Sequence, residues 1–307
     1  WQLFWEMLRV RLSALVRLNL MYVVCWLPAI IVIGRFCAMG VSALQGLSAI
    51  QTQVDAGEAT MEYFAEQVAV YGNALHSLLF QTLLLLIPTI AITGPFTAGI
   101  SYVTRNWARD EHAFIWSDFI DAVKANWKQA LITSVITGVM PTVVYVCNSY
   151  YGGMVANNVI FIIPQVLCWL VGLIWCLMLI YIYPVMVTYD LSYKGVLRNS
   201  ALLAIARLPF SVAVRLGSIV PAAIACLLIY LLTQYTFVIL LVLCAYYLLI
   251  GFGLSRFITA SYTNAVFDKY INPQIEGAKV NQGLYNEDED EDDYADEPDE
   301  TDVTPEA

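Results

Sequence analysis

The chain has 307 residues, of which 60% are hydrophobic and only 13% are charged, whereas ordinary soluble domains carry about 25% charged residues. This composition excludes an ordinary soluble enzyme, a disordered protein and a nucleic-acid-binding protein, and it indicates a polytopic membrane protein. The net charge of −10 is unevenly placed, because 13 of the 25 acidic residues lie between residues 287 and 306 and all 15 basic residues precede residue 280.

The first 17 residues have the pattern of an amphipathic helix. Trp5, Leu8 and Leu12 recur at three- and four-residue spacing, and Arg9 and Arg11 lie off that stripe. We predict that residues 1–17 form an interfacial helix in the headgroup layer of a membrane.

Six apolar segments are long enough to cross a bilayer. They are residues 18–37, 76–94, 130–148, 158–187, 216–233 and 237–257. We therefore predict an all-α fold, a polytopic membrane helix bundle of six transmembrane helices within residues 18–270. Prolines in these segments predict kinks in the helices. The kinks are either hinges for gating or transport or static bends that fit the bundle, the interpretation we favour. The prolines are Pro28, Pro88, Pro141, Pro164, Pro184 and Pro221.

The connection at residues 38–75 is the one sizeable loop predicted on the outer side. Asp55 and Glu58 have capping-box spacing, which predicts that a helix begins there. Glu58, Glu62 and Glu66 follow one another at four-residue intervals. This acidic row is either a solvated face, the interpretation we favour, or a surface for a cation or a basic partner.

The connections after the second and fourth spans are basic and amphipathic. In the first of them, Trp116, Phe119 and Val123 share an apolar face, and the helix is predicted to continue into the span at Ala130. These segments are either coupling surfaces for a cytoplasmic partner or interfacial anchors. The candidate partner-contacting residues are Arg105, Arg109, Lys124, Lys128, Lys194, Arg198 and Arg207.

The basic residues also predict the orientation. Fourteen of the 15 fall in alternate connections or at the termini, and only Arg35 lies toward the opposite side. By the positive-inside rule, both termini are cytoplasmic and the chain belongs in the cell membrane. Residues 271–307 are predicted to be a disordered acidic cytoplasmic tail.

Motifs for catalysis, cofactors or metals are missing from the sequence. No P-loop, GxSxG or HExxH pattern occurs, and the seven cysteines show no metal-ligand spacing. We expect no enzymatic activity and no cofactor. The candidate intramembrane polar residues are Gln81, Thr137 and Gln165. We expect them either to line a cavity or to form hydrogen bonds between helices, and we favour the second interpretation.

Two stretches resemble a known family. They read LNLMYVVCWLPAIIVIG (residues 18–34) and GPFTAGISYVTRNWARDEHAFIWSDFIDAVKANWKQA (residues 94–130). Together they resemble the YesL-like family of bacterial integral membrane proteins, a domain of unknown function. The resemblance covers most of residues 1–270 and departs from the family in the long loop 38–75 and in the tail. It implies an accessory role in carbohydrate uptake by ABC-type systems, and it carries over no site residues.

We therefore expect a non-enzymatic accessory or scaffolding component linked to carbohydrate uptake. Its partners would be the lipid bilayer and transporter subunits at the cytoplasmic loops, with no nucleic acid; the oligomeric state stays open. The alternative is a small facilitator or channel for a neutral solute. A third reading, a membrane enzyme acting on lipid, would need a cluster such as Asp118, Asp121 and His112.

Overall fold

The computed structural model describes residues 2–275, and this part of the chain is all-α. The helices are α1 (Gln2–Val10), α2 (Leu12–Asp55), α3 (Met61–Ala108), α4 (Ile115–Val155), α5 (Ile162–Thr188), α6 (Tyr193–Ala206), α7 (Leu208–Leu231), α8 (Thr236–Tyr246) and α9 (Phe252–Tyr270). A π-helical turn at Tyr247–Gly251 joins α8 to α9, so the two form one continuous span. Six helices in the described residues are long and apolar enough to cross a membrane, which confirms the six predicted spans.

The outer connection is mostly helical. α2 has 44 residues and α3 has 48, which correspond to about 66 and 72 Å at ~1.5 Å per residue. Both lengths are at least twice the ~30 Å hydrocarbon core. The C-terminal part of α2 and the N-terminal part of α3 therefore project beyond the span as a hairpin.

The capping-box prediction at the tip of this hairpin is wrong. Asp55 is the last residue of α2, and its carboxylate accepts a hydrogen bond from Gln51 Nε2 at 2.9 Å. α3 begins only at Met61, where the hydroxyl of Thr60 caps the helix by accepting from the Tyr63 amide at 3.2 Å. Threonine at this position satisfies an amide that the helix itself leaves unpaired.

The N-terminal helix is shorter than the predicted interfacial segment. α1 ends at Val10, and the residues after Arg11 already belong to α2. The break occurs where the Arg11 guanidinium reaches the far end of α3 and donates to the Glu111 carbonyl at 3.1 Å. The predicted acidic tail lies almost wholly outside the described residues.

The α3–α4 pair forms the centre of the bundle, and glycines allow its close packing. A Cβ on Gly94 would meet the carbonyl oxygen of Ala130. A Cβ on Gly99 would lie 2.9 Å from ring carbons of Phe119, and one on Gly138 would lie 3.0 Å from the backbone of Ile87. The two helices therefore approach closely at three positions because glycine has no side chain there, as in other closely packed membrane helices.

Asn19 ties the first span to the last one. Its amide nitrogen donates to the carbonyls of Tyr247 at 3.0 Å and Leu248 at 2.7 Å, and its Oδ1 accepts from the Gly253 amide at 2.7 Å. These backbone groups belong to the π-helical turn or its edge, where regular α-helical pairing is interrupted. In lipid such groups need a partner from within the protein, and the fully buried Asn19 supplies it.

Two aromatic residues continue the same face of α2. The Tyr22 hydroxyl lies 2.8 Å from Thr97 Oγ1 on α3. Trp26 stacks on Phe252 with ring centroids 5.9 Å apart. The spacing of Asn19, Tyr22 and Trp26, at i, i+3 and i+7, therefore reflects one helix face packed against α3 and α9.

Most of the predicted prolines lie inside helices, and Pro95 adds a further one. The interior prolines are Pro28, Pro88, Pro95, Pro141, Pro184 and Pro221. Pro164 differs, because it lies in the first turn of α5, where its ring costs no intrahelical hydrogen bond. Pro209 likewise opens α7.

Candidate functional site

One end of the bundle gathers most of the basic side chains, and we call it the basic end. The start of α2 meets the end of α3 there, with Arg11 Nη2 3.5 Å from the Asp110 carboxylate. The start of α7 meets the end of α9 there, with Arg207 Nη1 donating to the Tyr270 hydroxyl at 3.3 Å. The folded chain thus brings together segments that the sequence places far apart.

A left-handed turn at the end of α3 builds one corner of the basic end. Asp110 has φ of 55°. The Asp110 and Glu111 amides donate to the carbonyls of Trp107 at 3.2 Å and Asn106 at 2.8 Å. This is the hydrogen-bond pattern of a Schellman cap, with aspartate in the position that glycine usually occupies. The turn directs Glu111 back toward the helix.

Glu111 holds two of the predicted partner-contacting arginines. Its carboxylate lies 3.1 Å from Arg109 Nε and 3.7 Å from Arg105 Nη1. The side chain of Arg109 is only 9% exposed and that of Arg105 is 19% exposed. Because both guanidinium groups are turned inward, they stabilise the corner and are not presented on the outer surface.

The other five predicted basic residues are more accessible. Lys124 and Lys128 are exposed on α4, and Lys194 and Arg198 are exposed on α6. Arg207, between α6 and α7, is only partly exposed and lies over the ring of Phe210 at 4.4 Å. All four are exposed and can reach a partner or lipid headgroups, and Lys124 also lies 3.8 Å from the carboxylate of Asp121, one turn earlier on α4.

A cleft of about 540 Å³ opens at the basic end between α3, α4 and the α5–α6 linker. Its lining residues are Tyr102, Asp118, Asp121, Ala122, Ala125, Asn126, Gln129, Met186, Val187, Thr188, Tyr189, Asp190 and Leu191. Three carboxylates, two amides and two phenols thus surround one space. Such a lining offers hydrogen bonds to a polar or cationic group.

The walls of the cleft are fixed by local hydrogen bonds. Asp118 accepts from the Phe114 amide at 2.9 Å and so closes the first turn of α4. Gln129 Nε2 donates to the Leu191 carbonyl at 3.1 Å, which ties the α5–α6 linker to α4. Ser192 caps α6 by accepting from the Gly195 amide at 3.3 Å.

Tyr189 connects the cleft to the end of α9. Its hydroxyl donates to Asn272 Oδ1 at 2.6 Å, and the Asn272 amide donates in turn to the Asp268 carboxylate. Burial raises the pKa of Tyr189 to about 12, and the Asp268 charge acts in the same direction while Arg105 and Arg109 oppose it. The phenol therefore stays protonated at neutral pH and acts as a donor.

Two of the three residues considered for a lipid-acting enzyme share the cleft. Asp118 and Asp121 both line it, but His112 is not among its lining residues and packs edge-on against the ring of Phe114 at 4.7 Å. In the described residues no group of three or more His, Cys, Asp or Glu side chains is placed to hold a metal ion.

The candidate intramembrane polar residues bond to neighbouring helices or to their own. Thr137 donates to the Thr133 carbonyl at 2.7 Å and accepts from Trp175 Nε1 at 3.1 Å. Gln165 donates to Asn148 Oδ1 at 2.9 Å, which links α5 to α4. Gln81 donates to Ser77 within α3 at 3.3 Å. None of the three lines the cleft.

The roles of some residues of the site could not be predicted from the sequence. Asn272 and Asp268 reach Tyr189 only because α9 folds back against the α5–α6 linker, and no spacing in the sequence signals this. Asn19 has a weak signal, since it is a lone amide in an apolar segment and such amides in membrane helices usually bond across helices.

A comparison with protein families gives a match to part of the chain. A family model described as "Protein of unknown function, DUF624" matches residues 71–147, about a quarter of the chain. The matched segment contains the α3–α4 crossing at Gly94, Gly99 and Gly138 together with the α4 wall of the cleft. Neither the curated proteins nor the solved structures searched gave a significant match.

Proposed function

We propose that this multi-pass membrane protein is an accessory or scaffolding component of a membrane transport complex, and that it docks its partner at the basic end. The observation that carries the proposal is the polar cleft with exposed cations on both of its sides. Lys124 and Lys128 are exposed on α4, which forms one wall, and Lys194 and Arg198 are exposed on α6, which follows the linker wall; none of the four lines the cleft itself.

The charge pattern specifies the surface that would fit. Asp118, Asp121 and Asp190 line the cleft, so an inserted Lys or Arg side chain would find acceptors there. The surrounding cations favour acidic residues around that inserted group. Such complementarity selects partners and increases association rates more than it increases affinity.

Two finer parts of the proposal have separate support. The basic end faces the cytoplasm because 14 of 15 basic residues fall on that side by the alternation of the spans. The transport process is carbohydrate uptake of the ABC type, which is supported by the resemblance of residues 18–34 and 94–130 to the YesL-like family.

The test combines uptake with complementation. Radiolabelled sugar uptake is measured in a deletion strain that carries the wild-type chain, the K124E/K128E variant or the K269E variant, all at equal membrane levels. Lys269 is a matched control: it is exposed at the same end but lies on α9, which contributes no lining residue, whereas Lys124 and Lys128 lie on α4, which forms one wall of the cleft. We expect the wild type and K269E to restore uptake and K124E/K128E to fail, with loss of co-purifying transporter subunits. Unchanged uptake in the deletion strain would refute the proposal.

The second candidate is a facilitator for a neutral solute. Its support is the set of kinked spans with intramembrane amides and hydroxyls, although Thr137 and Gln165 use theirs in bonds between helices. Proteoliposomes containing the purified chain would distinguish the two functions. A facilitator gives rapid polyol flux, whereas an accessory protein leaves flux at the level of empty liposomes.

A further inference from the structure

Three arginines around α7 lack an acidic partner. Arg207, Arg215 and Arg256 form no ion pair with any Asp or Glu in the described part of the chain. The Nε atoms of Arg207 and Arg215 are buried and have no hydrogen-bond partner there. Uncompensated charge with buried, unpaired donors is costly. An external anion would supply what residues 2–275 do not.

The contacts that these arginines make are to neutral groups. Arg215 donates to the Cys176 carbonyl on α5. Arg256 lies over the ring of Tyr183, 5.7 Å from its centroid, and makes no hydrogen bond to a described residue. Contacts with a ring and a carbonyl orient a guanidinium group, but they do not give its positive charge a negatively charged partner.

Helix length places Arg215 and Arg256 within about 6 Å of each other in depth. α7 and the α8–α9 span run in opposite directions from the turn at Thr233–Tyr235. Counted from the helix ends Leu231 and Thr236 beside that turn, the two arginines lie about 24 and 30 Å away at ~1.5 Å per residue. That distance places both near the boundary between hydrocarbon and headgroups on the basic side.

A seam next to this pair is open to lipid. α7 packs on α5 and α8 but makes few contacts with α9. Leu216 and Ile219, just beyond Arg215, are 59% and 50% exposed. These side chains offer an acyl chain an apolar surface next to Arg215 on α7.

The geometry points to a phospholipid site in the seam between α7 and α9, with the lipid phosphodiester held by Arg215 and Arg256. Arg207 lies two turns nearer the headgroup region, so it adds a third positive charge and favours an anionic lipid such as phosphatidylglycerol. A lipid is favoured over free phosphate because the arginines lie at the hydrocarbon boundary. This site is separate from the cleft, and the inference does not depend on the proposed function.

Native mass spectrometry of the full chain in detergent tests this site by titration with phosphatidylglycerol, phosphatidylcholine or inorganic phosphate. The main variant is R256Q, because Arg256 makes no hydrogen bond to the described residues that its replacement would remove. R215K retains the charge, and K194Q removes an exposed charge from α6 at the same end. Gel filtration and circular dichroism establish that each variant is folded.

We expect the wild type to bind phosphatidylglycerol more tightly than phosphatidylcholine. R256Q should weaken phosphatidylglycerol binding by about fivefold and R215Q/R256Q by about thirtyfold, from the contribution of each basic residue near an anionic membrane surface. R215K and K194Q should bind nearly as the wild type does. Equal binding by folded R256Q and the wild type would overturn the assignment. Displacement of the lipid by inorganic phosphate would also overturn it, because the site would then be one for free phosphate.

Discussion

Replacement of Asn19 by leucine tests the link between the first and last spans. Leucine has the same number and branching of side-chain heavy atoms, so the change removes the polar groups while it keeps the shape of the side chain. Three hydrogen bonds are lost, and the carbonyls of Tyr247 and Leu248 and the amide of Gly253 lose their side-chain partner. Side-chain hydrogen bonds between membrane helices contribute about 0.6 kcal/mol each on average, with a maximum near 1.7.

The expected loss follows from these contacts. Three bonds at the average value give about 2 kcal/mol, and full burial of Asn19 excludes water as a replacement partner. N19L should therefore lower the free energy of unfolding by about 2 kcal/mol, equivalent to a nearly thirtyfold change in the folding equilibrium.

Reversible unfolding in mixed micelles, or steric trapping in bicelles, measures this quantity. N73L is the matched control, since Asn73 is exposed in the outer hairpin and should change stability by less than about 0.5 kcal/mol. Y22F removes only the bond to Thr97 and should cost about 0.6 kcal/mol. If N19L proved as stable as N73L, the assigned role of Asn19 in the π-helical turn would be wrong.

Three further outcomes follow from the packing and from Tyr189. G99A should lower the free energy of unfolding by about 1–3 kcal/mol, because the new methyl group would press on Phe119. G217A has open space at that position and should leave the free energy of unfolding unchanged in the same assay. Y189F removes the bond to Asn272 and should cost about 1 kcal/mol at neutral pH, measured as a shift of the unfolding midpoint; no shift would mean that the bond contributes nothing. Since folding raises the pKa of Tyr189 from its ordinary value near 10 to about 12, the stability that this group contributes is complete below pH 10 and is lost as the pH rises toward 12. The wild type should therefore lose stability relative to Y189F over that interval, and parallel pH profiles would contradict the assignment.

The helical architecture could be predicted from the sequence because it depends on local composition. Hydropathy alone identifies six spans, since a bilayer requires about 20 apolar residues for each crossing. The run of α4 from residue 115 into its span was also predictable, because the amphipathic pattern continues without a breaker up to Ala130.

The details of the site could not be predicted because they depend on packing between distant segments. Arg105 and Arg109 have the spacing of a shared helix face, but their inward orientation depends on a left-handed turn at Asp110 that returns Glu111 to them. Aspartate adopts that conformation less readily than glycine, so the sequence gives little indication of the turn. The bond between Tyr189 and Asn272 joins the α5–α6 linker to the turn after α9, 83 residues later in the chain.

The outer hairpin shows how a capping-box pattern can predict the start of a helix at the wrong residue. Asp55 and Glu58 have the right spacing for a capping box, but the chain continues α2 through Asp55 and places the turn at residues 56–60. Thr60 then takes the capping role. Spacing alone therefore does not decide between two candidate caps a few residues apart.

The orientation of the bundle is the claim on which the proposed docking surface depends, and cysteine labelling tests it directly. Glu58→Cys at the hairpin tip and Lys194→Cys at the basic end are introduced separately into a chain whose seven native cysteines are replaced by alanine. Intact cells are then treated with a membrane-impermeant maleimide. We predict that position 58 is labelled in intact cells and that position 194 is labelled only after permeabilisation. Labelling of position 194 from outside would contradict the account.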